Sequence, residues 1–396
     1  MFLQTLLLTA CTLVQPAAFG AQEAARGSAP NGRAAFHATA LQAAGGGLVE
    51  EDRSSPAAVA PAVPADVPPA VMGGVTLPLH ALEPGYTYAR ELSEIRDLRA
   101  GWVHMIVVTR QPLVDSIEVP HTSDRTPSFE DVDAVIRRAR EIGLRVFVTP
   151  VVLIRDPGPD DWRGTLRPTD RAAWFASYGS FVLRLAELAQ AAGAEVFCVG
   201  SELASLERET EHWRSLIVRL RTVFDGWLTY SANWDHFATI EFWDQLDFAS
   251  MTGYFTLSES ADPTVEELAA GWRHAGAEMQ RLADFTGRPV VFSEIGVPSQ
   301  RGAAATPWDY TRRAEVDLDL QRRAFEAFGD VFLPADRPQE MCRGFFLYDW
   351  WGLGGPSSGT YTARRKPAEA VWKRLLKSME REERRRLGPP GQARTK

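Results

Sequence analysis

The sequence predicts a single (β/α)8 barrel over residues 72–378, set behind an N-terminal linker. Three observations carry that prediction. Eight short runs are apolar almost without interruption, as parallel strands buried on both faces are, and amphipathic stretches separate them. Together they span about 300 residues, a length that suits eight βα units. The first run is not followed by a Gly-rich phosphate loop, and G-x-x-x-x-G-K-[ST] occurs nowhere in the chain. Both absences disfavour the alternative, a doubly wound open sheet.

The strand candidates, in order, are 73–79, 102–109, 144–152, 194–200, 227–232, 247–254, 289–295 and 344–350. Helical periodicity falls near 90–99, 129–142, 170–192, 208–225, 264–284, 308–328 and 366–378. Ser128 to Asp131 is an S-x-x-D start for the second helix. Gly143 follows that helix and is suited to a left-handed cap.

Residues 1–20 read as a secretory signal: a short apolar run, then small residues, with Ala18 and Gly20 at a cleavage site. No Lys or Arg precedes the run. Leu8-Thr9-Ala10-Cys11 also fits a lipoprotein box, which would make Cys11 a lipid anchor. Residues 21–71 are rich in Ala, Pro and Gly with Phe36 the one aromatic. Such a segment has little to bury against its ordering entropy, so a disordered linker is expected. All twelve Trp lie between Trp102 and Trp372, on the barrel side of that boundary.

The net charge of −8 argues against nucleic acid as the main partner. Lys373–Lys396 holds nine Lys/Arg and three Glu, a net of +6, which leaves −14 for the rest. A basic flexible tail is expected over 379–396. The acidic remainder suits a neutral polysaccharide better than an anionic one. Cys198 and Cys342 read as two buried free thiols, with one disulfide as the alternative. No H-E-x-x-H or G-x-S-x-G occurs and the seven His are scattered, so neither a metal, a cofactor nor a Ser-His-Asp triad is expected.

In a barrel the chemistry gathers at the C-terminal ends of the strands. The fourth run ends Gly200-Ser201-Glu202 and the seventh ends Ser293-Glu294-Ile295-Gly296. A carboxylate ending a buried strand is costly unless it faces a polar cavity. Two of them are what glycosidic cleavage needs: one protonates the leaving oxygen, while the other attacks the sugar carbon or activates water. The sixth run ends in Tyr254, and the eighth ends Tyr348-Asp349-Trp350-Trp351.

With these residues in view, the chain resembles the retaining glycoside hydrolases of the large barrel clan with acids on strands four and seven. Within that clan it is most similar to glycoside hydrolase family 113, endo-β-1,4-mannanases. The likeness rests on GSEL around Glu202, TGYF around Tyr254, FSEIG around Glu294, YDWW around Trp350, and the stretch 361–368, and it runs from about 72 to 378. The resemblance implies that Glu202 is the general acid/base, Glu294 the nucleophile, and Tyr254 the hydrogen-bond donor that orients Glu294. It implies a raised pKa for Glu202 and a sugar floor made by Trp350. Many clan members carry Asn where this chain has Ser201.

Asn233, Trp234 and His236 follow the fifth strand and are expected to line the cleft, with Trp234 as a stacking platform. His80, after the first strand, and Asp349 are further substrate-binding candidates. Trp162 is a candidate for a distal subsite, Trp174 for the core, and His104 for a satisfied core histidine.

The expected function is an exported, retaining endo-β-glycoside hydrolase acting on β-1,4-mannan. The expected localisation is secreted, periplasmic or cell-surface, with membrane contact only through the lipid anchor, and the chain is expected to be a monomer. The alternatives are a hydrolase of another β-linked glycan, a non-catalytic carbohydrate-binding barrel, and a structural barrel on the cell surface.

Overall fold

In the computed structural model of the protein the described residues are 71–80, 83, 85–121, 126–333 and 342–387. The signal and linker readings therefore fall outside the described residues.

The elements alternate as the apolar runs do: β1 (Met72–Pro78), α1 (Ala89–Asp97), β2 (Trp102–Gln111), α2 (Phe129–Glu141), β3 (Arg145–Ile154), α3 (Arg171–Ala192), β4 (Val196–Ser201), α4 (Thr210–Leu220), β5 (Trp227–Ala232), β6 (Ala249–Thr252), α5 (Val265–Thr286), β7 (Val290–Ile295), α6 (Leu318–Phe332), β8 (Cys342–Leu347) and α7 (Pro367–Leu387). Neighbouring strands pair in parallel, and β1 pairs with both β2 and β8. That second pairing closes the barrel and removes every sheet edge, so no strand offers an open ladder to another chain.

Local sequence sets the helix starts. Ser128 accepts from the Asp131 N–H at 3.0 Å, as its S-x-x-D spacing predicts. Gly143 takes φ +87°, the left-handed conformation expected of it. Thr264 and Glu267 cap α5 reciprocally, and Asp170 and Asp317 cap α3 and α6. Each such cap contributes about 1 kcal/mol.

Three boundaries differ from the periodic pattern. First, α6 starts at Leu318, not near 308. Pro307 lacks the N–H that a helix interior needs, the Asp309 side chain accepts from the Thr311 N–H, and Val316 bridges to Gln300. The segment 301–317 thus becomes a long loop at the rim. Second, β8 ends at Leu347, so residues 348–350 leave the sheet. Third, α7 runs on to Leu387, which corrects the expectation of a flexible tail from 379. Its Arg side chains find partners there: Arg384 meets Glu380, and Arg385 and Arg386 meet Glu382.

Six Trp side chains (102, 174, 213, 272, 350 and 372) are fully buried, so half of the Trp skew is core packing. Trp174 stacks on Tyr178 and donates to Gln111, as a core residue would. Inside the barrel, Met72, Trp102, Phe147, Val196, Cys198, Phe248, Val291 and Phe346 form one apolar layer. Cys198 is a buried free thiol, and its burial pushes its pKa up to about 12. Above that layer the interior turns polar. His104 bonds to Thr76 at 3.2 Å and to Thr149 at 2.7 Å, which makes it the satisfied core histidine its position suggested. Burial lowers its pKa to about 3, so it stays neutral.

Candidate active site

The acids come to the rim through two irregularities. Between β4 and β5 the pairing passes from Cys198↔Thr229 to Ser201↔Ser231, three residues against two. Between β6 and β7 it passes from Met251↔Phe292 to Thr252↔Glu294, two residues against one. A bulge re-aims the side chains that follow it. Each acid-bearing strand has one, at or just before its Glu. Beyond the first bulge Glu202 takes φ +53°, in the left-handed region that a Glu rarely occupies.

Glu202 and Glu294 are both buried. The Tyr254 hydroxyl donates to Glu294 Oε2 at 2.7 Å, the bond expected of that pair. Burial and the Glu294 charge hold the Tyr254 pKa well above the phenol range, so the proton is there to donate. On the other acid, Arg163 Nη2 pairs with Glu202 Oε2. Arg163 stands on a one-turn helix, Arg163–Thr165, in the loop after β3. Its charge also acts on Glu294, Tyr254 and Tyr348, so the guanidinium sits among all four.

The Glu294 pKa is pushed up to about 7. Burial is the main cause and the Glu202 charge adds to it. Arg163 and the Tyr254 hydroxyl act in the opposite direction. Two carboxyls in one dry pocket resist ionising together, and Arg163 offsets part of that resistance.

Trp350 is the correction among the aromatic residues. Its indole is 2% exposed, donates to Glu94 at 2.9 Å and packs on Trp372 and Arg364. It lies on the helix side of the barrel and cannot be a sugar floor. The ring at the acids is Tyr348. By strand alternation from Phe346 it is the next inward position, and it packs with Ile106, Val108 and Val151 in the barrel mouth. Tyr254, Tyr348 and Tyr361 form a triangle of edge-to-face contacts at 5.3–6.1 Å.

The remaining candidates spread outward. Ser201 is buried, and its Oγ has no partner among the described residues. Asn233 Oδ1 accepts from the Trp234 N–H at 3.0 Å and from Thr252 at 3.4 Å. Trp234 is half-buried and packs on Phe255 and on Trp308, whose ring is 41% exposed. His236 Nε2 lies 3.8 Å from Glu207 Oε2. His80 packs edge-on against Trp351, and burial and Arg110 lower its pKa to about 3. Asp349 is pushed up to about 7 by burial, against the opposing charges of Lys366 and Arg364. Trp162 is exposed on the Arg163 loop.

Sequence reasoning missed Arg163, Tyr348, Trp308 and Glu207 as site residues. Tyr348 had a findable signal, the period-2 register of β8. Arg163 lies on a loop with no periodicity to read, and Trp308 lies where helical periodicity suggested a helix and the structure has a loop.

No group of three or more His, Cys, Asp or Glu placed to hold a metal ion occurs among the described residues. No helix among them is long and apolar enough to cross a membrane.

Against known proteins, the description Glycoside Hydrolase Family 113 matches residues 85–354. Among solved structures, the GH113 β-mannanase AaManA from Alicyclobacillus acidocaldarius, in complex with ManMIm, is 26% identical with a TM-score of 0.68, over 79% of this chain and 100% of that one. A second GH113 β-1,4-mannanase, 22% identical with a TM-score of 0.68 over 78% and 99% of the two chains, shares the fold. So does a β-glucuronidase from Ruminococcus gnavus, at 12% identity and TM-score 0.53 over 77% and 49%. No curated protein matches the chain.

Proposed function

The chain belongs to glycoside hydrolase family 113, and from that premise we propose that it is an exported endo-β-1,4-mannanase that works by double displacement with retention. The observation that carries the mechanism is the Tyr254–Glu294 bond beside the Arg163–Glu202 pair. The substrate reading is supported by the β-1,4-mannanases among the similar structures.

In this reading Glu294, once ionised, attacks the anomeric carbon through a carboxylate oxygen. The bond to the glycosidic oxygen breaks, and Glu202 gives that oxygen its proton. A water then attacks the glycosyl–Glu294 ester and Glu202 takes the proton back. The sugar leaves with its configuration retained, and both carboxyls return to their starting states. Glu202 cannot serve as an acid while Arg163 pairs with it. The sugar on the leaving side therefore has to draw Arg163 off Glu202, and its hydroxyls give the guanidinium new acceptors. Tyr348 takes the floor position assigned above to Trp350. Trp234 and Trp308 form a stacking platform farther out, with Asn233, Ser201, His80 and Asp349 as polar lining.

The test is reducing-sugar release from a panel of β-mannans, β-glucans and xylans, with NMR of the first product's anomer. Mannan cleavage with retention is expected, and Glu294→Gln should be inactive. An inverted first product would exclude the covalent route. Export rests on the apolar start of the chain and is tested by N-terminal sequencing of the secreted protein from a bacterial host. Recovery of Met1 on an intracellular product would refute it.

A further inference from the structure

We propose that Glu207 is a positioning residue for Glu202 and acts through the hydroxyl of Tyr230. The inference rests on the acid/base reading of Glu202 given above.

Tyr230 lies in β5, fully buried. Its hydroxyl accepts the N–H of Leu203 at 2.9 Å and donates to Glu207 Oε1 at 2.8 Å. The Leu203 N–H belongs to the peptide that leaves Glu202. The peptide that enters Glu202 is held as well, since the Glu202 N–H donates to the Ser231 carbonyl at 2.9 Å. Two consecutive residues of β5 thus grip the backbone on both sides of the acid, where Glu202 holds φ +53°. A non-glycine residue there costs on the order of 1–3 kcal/mol and persists only if its surroundings hold it.

A hydroxyl has one proton. To accept from Leu203, Tyr230 must send that proton elsewhere, and Glu207 receives it. The packing leaves little slack. A side chain at Gly200 would meet Trp213 at 2.9 Å and Tyr230 at 3.0 Å, so the glycine is what lets the ring lie this close to β4.

Glu207 is an expensive residue to keep. Its side chain is fully buried, and its partners are Tyr230, Thr239 at 3.3 Å and the half-exposed His236 at 3.8 Å. No Arg or Lys pairs with it among the described residues. Burial pushes its pKa to about 7, with the charges of Glu202 and Asp235 adding to the effect. A buried carboxyl without a strong cation is a poor way to add stability. Its visible product is the orientation of the Tyr230 hydroxyl.

The test separates an acid/base effect from a general loss of structure. Aryl β-mannobiosides with a phenyl and a 2,4-dinitrophenyl leaving group are compared, since only the phenol needs a proton to depart. Tyr230→Phe and Glu207→Ala are expected to lose about 10- to 100-fold in kcat/KM, which reports the step that Glu202 assists as an acid, on the phenyl glycoside, a part of the roughly 100- to 10,000-fold that a general acid contributes, with little loss in kcat/KM on the dinitrophenyl one. Glu207→Gln keeps an acceptor oxygen and should stay near the parent on both. Equal losses on the two substrates in folded variants, or no loss, overturn the inference. So does a Glu207→Gln loss as large as that of Glu207→Ala. Glu202→Ala is the control. If it lacks the leaving-group dependence, the acid/base reading itself has failed. If it shows the dependence while Tyr230→Phe does not, only the positioning role has.

Discussion

Arg163, carried on the loop after β3, pairs its guanidinium with the carboxylate of Glu202 at the end of β4. The side chains are 19% and 7% exposed, so water screens the pair only weakly. Glu202 is thus held in an ion pair, and burial raises the pKa of Glu294 beside it.

Arg163→Ala is expected to move the acidic limb of kcat/KM to higher pH. In the proposed mechanism Glu294 must be ionised to attack, so activity should rise with pH through its pKa of about 7. Arg163 lowers that pKa, and removing it raises the pKa further. A pH–rate profile of the variant checks this. A limb that stays in place or moves to lower pH contradicts the arrangement.

Tyr254→Phe should move the limb in the same direction, because its hydroxyl also favours the charged form of Glu294. It should in addition lower kcat at the pH optimum by about 10- to 100-fold, as loss of a hydrogen bond to a charged group at ~1.5–3 kcal/mol implies. Unchanged kcat at the optimum would remove Tyr254 from the mechanism.

Glu294→Gln should be inactive and yet more stable in alkali. The folded pKa of about 7 lies above the ordinary 4.5. The stability this group contributes is therefore fully present below pH 4.5 and lost as pH rises through 7. At pH 8 the buried charge costs the parent on the order of 3 kcal/mol. The variant's thermal midpoint should exceed the parent's at pH 8, with the gap closing toward pH 4.

Trp350 and Tyr348 should separate by what they damage. Trp350→Ala is expected to cost about 3–5 kcal/mol of stability, and the milder Trp350→Phe to lower the thermal midpoint while leaving KM within about twofold. Tyr348→Ala should instead cut kcat/KM. Denaturation curves and kinetics on the same preparations decide it. A large KM rise in Trp350→Phe would return that ring to the substrate.

The barrel and both acids were legible because their signals are local. A buried parallel strand has to be apolar residue after residue, so its run shows in the chain. The last residue of such a run must lie at the rim, and a Glu there is conspicuous because burying it is costly. Tyr254, two residues past β6, was found as the last residue of the sixth run. Trp350 was misread because β8 stops at Leu347; the Tyr348 N–H still bonds to the Ile295 carbonyl of β7, so alternation holds as far as that residue and not on to 350.

The sequence by itself thus determined the eightfold alternation and the two carboxyls that stand at the rim. Only the tertiary structure decided which loop side chain reaches them, which tyrosine faces them, and how far burial pushes up the Glu294 pKa. Hydrophobic periodicity follows from each residue's own burial and is written position by position. The reach of Arg163 to Glu202, 39 residues away, and of Tyr230 to Glu207 depends on where the closed barrel sets backbones distant in sequence. Electrostatic work in a dry pocket depends on every charge gathered there, and that gathering exists only once the barrel has closed.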